Sequence, residues 1–216
     1  MSGYSWAAIQ GLRTAGLHHG LLPLLDHILD DDESAIGANG FVKLALANTD
    51  QRIQSGKSVS AGFLFATLLW PDLLKNWKAN LAKGMANIPA LQDAMDETIT
   101  TQSSGMTIQR RFESDMREIW SMQPRFERRV GRYPYRLIEM PRFRAGYDFM
   151  LLRCATGEQS PALGEWWTNF IAADPAGQEA LMASAKTELG NTANSPTKRR
   201  RRRKPKSTSP VEVSSS

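Results

Sequence analysis

The sequence predicts an all-α protein, an irregular array of helices that ends in a disordered basic tail. Three observations lead there. Apolar residues recur at spacings of three and four, which places them on one face of a helix. Strand-like alternation of apolar and polar residues is scarce. A hydrophobic content of 41% over 216 residues is enough to bury a core.

Taken in order, the first stripe is Leu21, Leu22, Leu25, Ile28 and Leu29, and the second is Phe41, Leu44, Ala45 and Asn48. Residues 61–70 are almost wholly apolar, too short to span a bilayer and closed by Pro71, so they predict a core helix buried on most sides. Pro89 suits the first turn of another helix, carrying Leu91, Met95 and Ile99, with Gly105 ending that segment. Ile108, Phe112, Met116, Ile119 and Trp120 predict an amphipathic helix with Arg110 and Arg117 on a common side. Pro124 kinks or restarts it. Beyond that proline, Arg125, Arg128, Arg129 and Arg132 follow an i, i+3, i+4, i+7 pattern that would align four guanidinium groups in one stripe. A last helix carries Phe143, Tyr147, Met150, Leu151 and Cys154. From about residue 190 the chain turns to Asn, Ser, Thr, Pro, Lys and Arg, which bury too little apolar surface to offset the entropy of ordering.

Charge is segregated along the chain. Residues 1–105 hold 7 basic and 10 acidic side chains, whereas 106–154 hold 11 arginines, no lysine and 6 carboxylates. Residues 155–190 are acidic again, with 1 lysine and 5 carboxylates, and 191–216 carry 8 basic residues and 1 acidic. Two separate basic zones point to a polyanion, and nucleic acid is the common one. Exclusive use of arginine favours bidentate phosphate contact and stacking on bases. Interleaved Glu113, Asp115, Glu118 and Glu127 offer a plainer reading, surface ion pairs worth about 0–1 kcal/mol each. Trp120, Tyr133 and Tyr135 lie close enough to stack bases, although Trp120 fits a core position better.

Other classes of site find little support. Cys154 is the sole cysteine, so no internal disulfide forms, and a reducing, cytoplasmic setting is expected. It lies on an apolar helical face without a neighbouring histidine, which predicts an inert buried thiol. His18, His19 and His27 have no cysteine beside them to complete a metal site. Residues 1–20 lack a basic start followed by a continuous apolar stretch, and no later run reaches the roughly 18 apolar residues of a membrane span.

Four segments carry a further signal: Asn48-Thr49-Asp50-Gln51-Arg52-Ile53, the apolar run 63–70 with its Phe-Leu-Phe-Ala opening, Asp115-Met116-Arg117-Glu118-Ile119-Trp120, and Pro141-Arg142-Phe143-Arg144-Ala145-Gly146-Tyr147-Asp148. With Trp166-Trp167 and the arginine-rich end, their order and spacing resemble the part of bacterial poly(A) polymerases that follows the catalytic head. That family is related to the tRNA nucleotidyltransferases that add CCA ends. The resemblance covers nearly the whole chain. It implies a neck-like helical region at 1–105, an arginine-rich RNA-binding region at 106–190 and a disordered basic tail at 191–216. The family's head carries a Gly-Ser turn before paired carboxylates that hold Mg²⁺ and activate the RNA 3′ hydroxyl. This chain has no Gly-Ser dipeptide, and Asp30-Asp31-Asp32-Glu33 follows a helical pattern, not a strand, so a solvated loop is expected there. No cofactor is therefore expected in this chain, ATP and Mg²⁺ belonging to a head elsewhere. The resemblance begins in the family's neck, which implies that Met1 opens a truncated product, a misassigned start or half of a split gene.

What the resemblance implies for function is a grip on the RNA 3′ end during template-independent adenylation, the reaction of mRNA polyadenylation and decay. Catalysis would reside in a separate head. The expected contacts are Arg110, Arg111, Arg117, Arg125, Arg128 and Arg129, with Arg132, Arg142 and Arg144 beyond them. The alternative is a non-enzymatic scaffold whose tail associates with any polyanion. In either case Lys198-Arg199-Arg200-Arg201-Arg202-Arg203-Lys204-Pro205-Lys206 places eight charges in nine positions, which neutralises phosphates without reading bases. The logarithmic salt dependence of tail binding to single-stranded RNA should approach a slope of roughly −6, from about −0.7 per charge. Fluorescence anisotropy across a salt series measures it.

Overall fold

A computed structural model describes residues 4–16, 36–103 and 108–193, and every regular element among them is helical. Helix α1 (Ser5–Thr14) rests on α2 (Ile36–Gln54), where the Ser5 backbone N–H and hydroxyl both donate to the Asp50 carboxylate at 2.8 and 2.6 Å. The stripe 21–29, Gly105, the three histidines, the acidic run 30–33 and the basic cluster 198–206 all lie outside the described residues.

Among the described side chains of α2 the buried ones are Phe41, Val42, Ala45, Leu46 and Thr49, so the inward face is rotated by about one residue from the expected one. Asn48 is exposed, and the Thr49 hydroxyl is satisfied by the Ala45 carbonyl at 2.8 Å. The apolar run 61–70 likewise differs in detail. Ser60 caps α3 (Ala61–Leu68), its hydroxyl accepting from the Phe63 N–H, and the helix ends before the proline. Pro71 then sits in the first turn of α4 (Trp70–Ala82), a position where its missing N–H has no helical acceptor to lose. It opens a helix and does not close one. No residue of 61–70 is fully exposed, as a core segment requires.

Gly84, at φ +87°, stops α4, and the chain returns as α5 (Asn87–Ser103), with Pro89 in its first turn as expected. Trp77 and Asn80 donate to the carbonyls of Asn87 and Ala90, binding this helical hairpin across its closed end. Helix α6 (Arg110–Met122) has the most one-sided pattern, with Met116, Ile119 and Trp120 buried. It lies tight against α3 because Gly62 has no side chain: a Cβ there would meet Asp115 Cβ at 2.5 Å. The Trp120 indole N–H donates to the Ala66 carbonyl at 3.0 Å across the same contact.

A 3-10 turn (Gln123–Arg125) and α7 (Tyr133–Ile138) lead to α8 (Phe143–Ala155), α9 (Pro161–Ala172) and α10 (Pro175–Ala193). Two hydrophobic cores result. One gathers Phe41, Trp70, Leu73, Leu91, Trp120 and Phe149, and the other Met122, Phe126, Leu137, Met150, Trp167 and Phe170. Helices α6 and α8 contribute to both and form the wall between them. Edge-to-face contacts at about 5 Å, such as Trp70–Phe149 (5.0 Å) and Phe126–Trp167 (5.1 Å), fill each side.

Because Gly62 permits the closest helix contact of the first core, Gly62→Ala should destabilise the chain by about 1–3 kcal/mol through overpacking. A lower urea midpoint at unchanged slope is the expected result.

Candidate nucleic-acid interface

Pro124 decides how the arginine-rich stretch is displayed. Its ring cannot sit in a continuing α-helix, so α6 tightens into the 3-10 turn and then stops. Residues 126–132 form turns and irregular backbone, with Gly131 at φ +66°, before α7 begins. The expected helical stripe of Arg125, Arg128, Arg129 and Arg132 therefore does not exist. Its spacing is present in sequence, but the backbone that would align it is not helical, and the four side chains take separate courses.

Arg125 is exposed and donates to the Met140 thioether at 3.5 Å. Arg128 lies over the ring of Tyr133, its Cζ 3.7 Å from the centroid, and that tyrosine is itself exposed. Arg129 turns inward to Glu188 at 3.3 Å and over Trp166, with its Nε buried and without a hydrogen-bond partner. Arg132 precedes α7 and lies one turn from Arg136. Both are exposed, and among the described residues neither guanidinium makes a hydrogen bond, ion pair or ring contact. Tyr135 is part of the second core, against Phe170.

On the flanking helices the plainer reading of paired charges holds for several arginines. Arg117 binds Asp96 at 2.7 Å, Arg142 binds Asp115 at 2.6 Å and Arg144 binds Asp148 at 3.1 Å. These pairs are partly or fully solvated, so each adds little to stability and leaves donors for another acceptor. Arg110 is exposed at the start of α6, and Arg111 covers Phe112 at 4.6 Å. The structure thus brings Arg128, Arg132, Arg136 and Tyr133 together on one connector, and keeps Arg129 apart from them.

Arg136 has no place among the expected contacts, although its four-residue step from Arg132 was a legible signal. Arg153 has a different role altogether. It is buried in α8, donating to Glu158 at 2.7 Å and to the Gln123 side-chain oxygen at 3.2 Å, with its guanidinium over Trp70. Cys154 beside it is buried as expected, its thiol donating to the Ser160 carbonyl at 3.3 Å. Burial pushes the Cys154 thiol above its ordinary value, against smaller opposing effects of the Gly164 backbone and Arg153, so the reactive thiolate is disfavoured. Trp120 is fully buried, in the core as expected.

Residues 83–206 match the family model described as the polymerase A arginine-rich C-terminus, more than half of the chain. The chain belongs to the poly(A) polymerase family. It is 30% identical over 213 residues to the poly(A) polymerase I of Salmonella typhimurium, covering 97% of this chain and 44% of that protein. With the poly(A) polymerase I of Escherichia coli O157:H7 the identity is 31% over 172 residues, and with that of Haemophilus influenzae 30% over 163. The chain spans less than half the length of these relatives. The all-α fold and the family resemblance read from the sequence both stand.

Among the described residues no helix is long and apolar enough to cross a membrane, and no three His, Cys, Asp or Glu converge as metal ligands would. Asp96, Asp115, Asp148 and Glu158 are each paired with a guanidinium, which makes them poor donors for a divalent cation.

Buried and exposed arginines should respond oppositely to truncation. Arg153→Ala takes the ion-pair partner from half-buried Glu158 and leaves the buried Gln123 side-chain oxygen unsatisfied, which should cost about 1–3 kcal/mol. Arg132→Ala should stay within about 0.5 kcal/mol of the parent in the same urea titration.

Proposed function

We propose that this chain is the RNA-holding part of a poly(A) polymerase, gripping the 3′ region of the strand largely without regard to sequence. The observation that carries the reading is the 125–136 connector, where unpaired Arg132 and Arg136 stand beside the exposed Arg128–Tyr133 stack. Guanidinium groups suit phosphates, and an aromatic–guanidinium stack accepts a base face of any identity. The arginine-rich description of the matching family supports the same reading. On this proposal ATP and Mg²⁺ bind a catalytic head outside this chain, template-independent adenylation of mRNA in the cytoplasm is the reaction served, and the basic cluster 198–206 raises the local RNA concentration.

A second reading, a protein-binding scaffold with passive arginines, draws on the ion pairs that already occupy Arg117, Arg129, Arg142 and Arg144. Anisotropy of labelled oligo(A) separates the two. In the full chain with the eight basic residues of 198–206 changed to Gln, binding should persist at low salt. Adding Arg128→Gln, Arg132→Gln and Arg136→Gln should weaken it and flatten the salt dependence by roughly 2, at about 0.7 per charge. Complete loss of binding on neutralising the tail alone would sink the RNA-holding reading in favour of the scaffold.

A further inference from the structure

A groove of about 620 Å³ opens between the C-terminal half of α2, the turn at 58–60 and one side of α8 along its length. Its floor is apolar: Leu44, Phe63, Ala145 and Leu151 line it and are only half-buried, since nothing else in the described chain covers them. Its rim is cationic. Arg52, Arg142 and Arg144 stand around it, against Asp148 as the one lining carboxylate among the described residues. Among the described residues Arg52 reaches no partner but the Ser58 carbonyl, at 3.5 Å, the outer limit of a hydrogen bond. The Arg144 side chain is 76% exposed, and its single carboxylate partner leaves further N–H donors open to the groove. Asn48, Gln51 and Ser58 add neutral hydrogen-bonding groups along the α2 side.

These features come from two stretches far apart in sequence, 48–52 and 141–144, which are also among the segments on which the family likeness rests. Packing does not account for Arg52, Arg142 or Arg144, all of them exposed. An apolar floor wide enough for a flat ring, a rim of guanidinium groups and a volume within the usual range of about 300–1,000 Å³ for a small-ligand site fit one chemical unit best. That unit pairs a heteroaromatic ring with a phosphate. We propose that the groove is a nucleotide subsite that takes one residue of the RNA strand, its base on Leu44, Phe63 and Leu151 and its phosphate on Arg52 and Arg144. An acidic peptide would satisfy the rim and leave the floor empty. The subsite rests on the RNA-holding reading and adds to it a defined second contact, distinct from the 125–136 connector.

Photocrosslinking tests it in the full chain. Oligo(A) carrying a single 8-azidoadenosine is irradiated with the protein, and adducts are located by peptide mass spectrometry. Adducts within 44–63 and 141–155 that free AMP suppresses are the expected result. Arg52→Gln with Arg144→Gln should remove them, weaken oligo(A) binding several-fold and reduce the salt slope by roughly 1.4, at about 0.7 per charge. Adducts confined to 125–136 or the tail overturn the subsite while the RNA-holding reading survives. No binding of oligo(A) at all overturns both. If a glutamate-rich peptide displaces groove adducts and AMP does not, the groove belongs to an acidic protein segment and the nucleotide assignment is wrong.

Discussion

The guanidinium of Arg153 ties the two cores to one another. It donates to Glu158, which also accepts the Trp70 indole N–H at 2.7 Å, and it donates to Gln123, whose amide in turn donates to the carbonyls of Ile119 and Gly146. One chain of hydrogen bonds therefore runs from α4 through α8 to the end of α6. Buried Arg153 and Gln123 and half-buried Glu158 satisfy one another, and such a network is sensitive to the loss of any of its parts. It anchors the end of α6 at Gln123, beside Pro124, where the helix stops and the irregular connector begins. The connector arginines thus begin next to a point that a buried charge holds in place.

Close helix contact is the second constraint. Gly146 lets α8 approach Met122 of α6, where an added Cβ would meet the Met122 sulfur at 2.6 Å, much as Gly62 does for α3. With α6 held closely on both sides, Asp115 is placed where Arg142 can reach it. Packing by small residues is in this way linked to the positions of charged groups at the groove. Arginine consequently takes three roles within fifty residues: buried strut at Arg153, pinned surface pair at Arg117 and Arg142, and, at Arg132 and Arg136, a cation without a partner among the described residues.

Sequence periodicity revealed most of the fold, because the apolar faces of α5, α6 and α8 follow the helical repeat closely. Ile108 through Trp120 and Phe143 through Cys154 needed no tertiary information. Where periodicity misled, backbone chemistry explains the difference. Pro71 reads equally well as a stop and as a start, and only the break at Leu69 decides it. The pattern of Arg125, Arg128, Arg129 and Arg132 had helical spacing without a helix, since Pro124 and Gly131 remove the backbone that spacing presupposes. Arg153 looked like its neighbours because a charge count does not record burial. The groove was invisible for a different reason: it joins residues some ninety positions apart, and no local pattern encodes that meeting.

The absence of lysine from 106–154 has a consequence beyond geometry. A guanidinium stays protonated throughout the pH range a cell experiences, and lysine acetylation has nothing to modify there. The charge of the arginine-rich 106–154 stretch is therefore constant with respect to lysine acetylation. The tail is not so protected, since Lys198, Lys204 and Lys206 supply three of its eight positive charges in an acetylatable form. Lysine acetylation can therefore lower the charge of the tail while leaving the arginines of 106–154 unaltered.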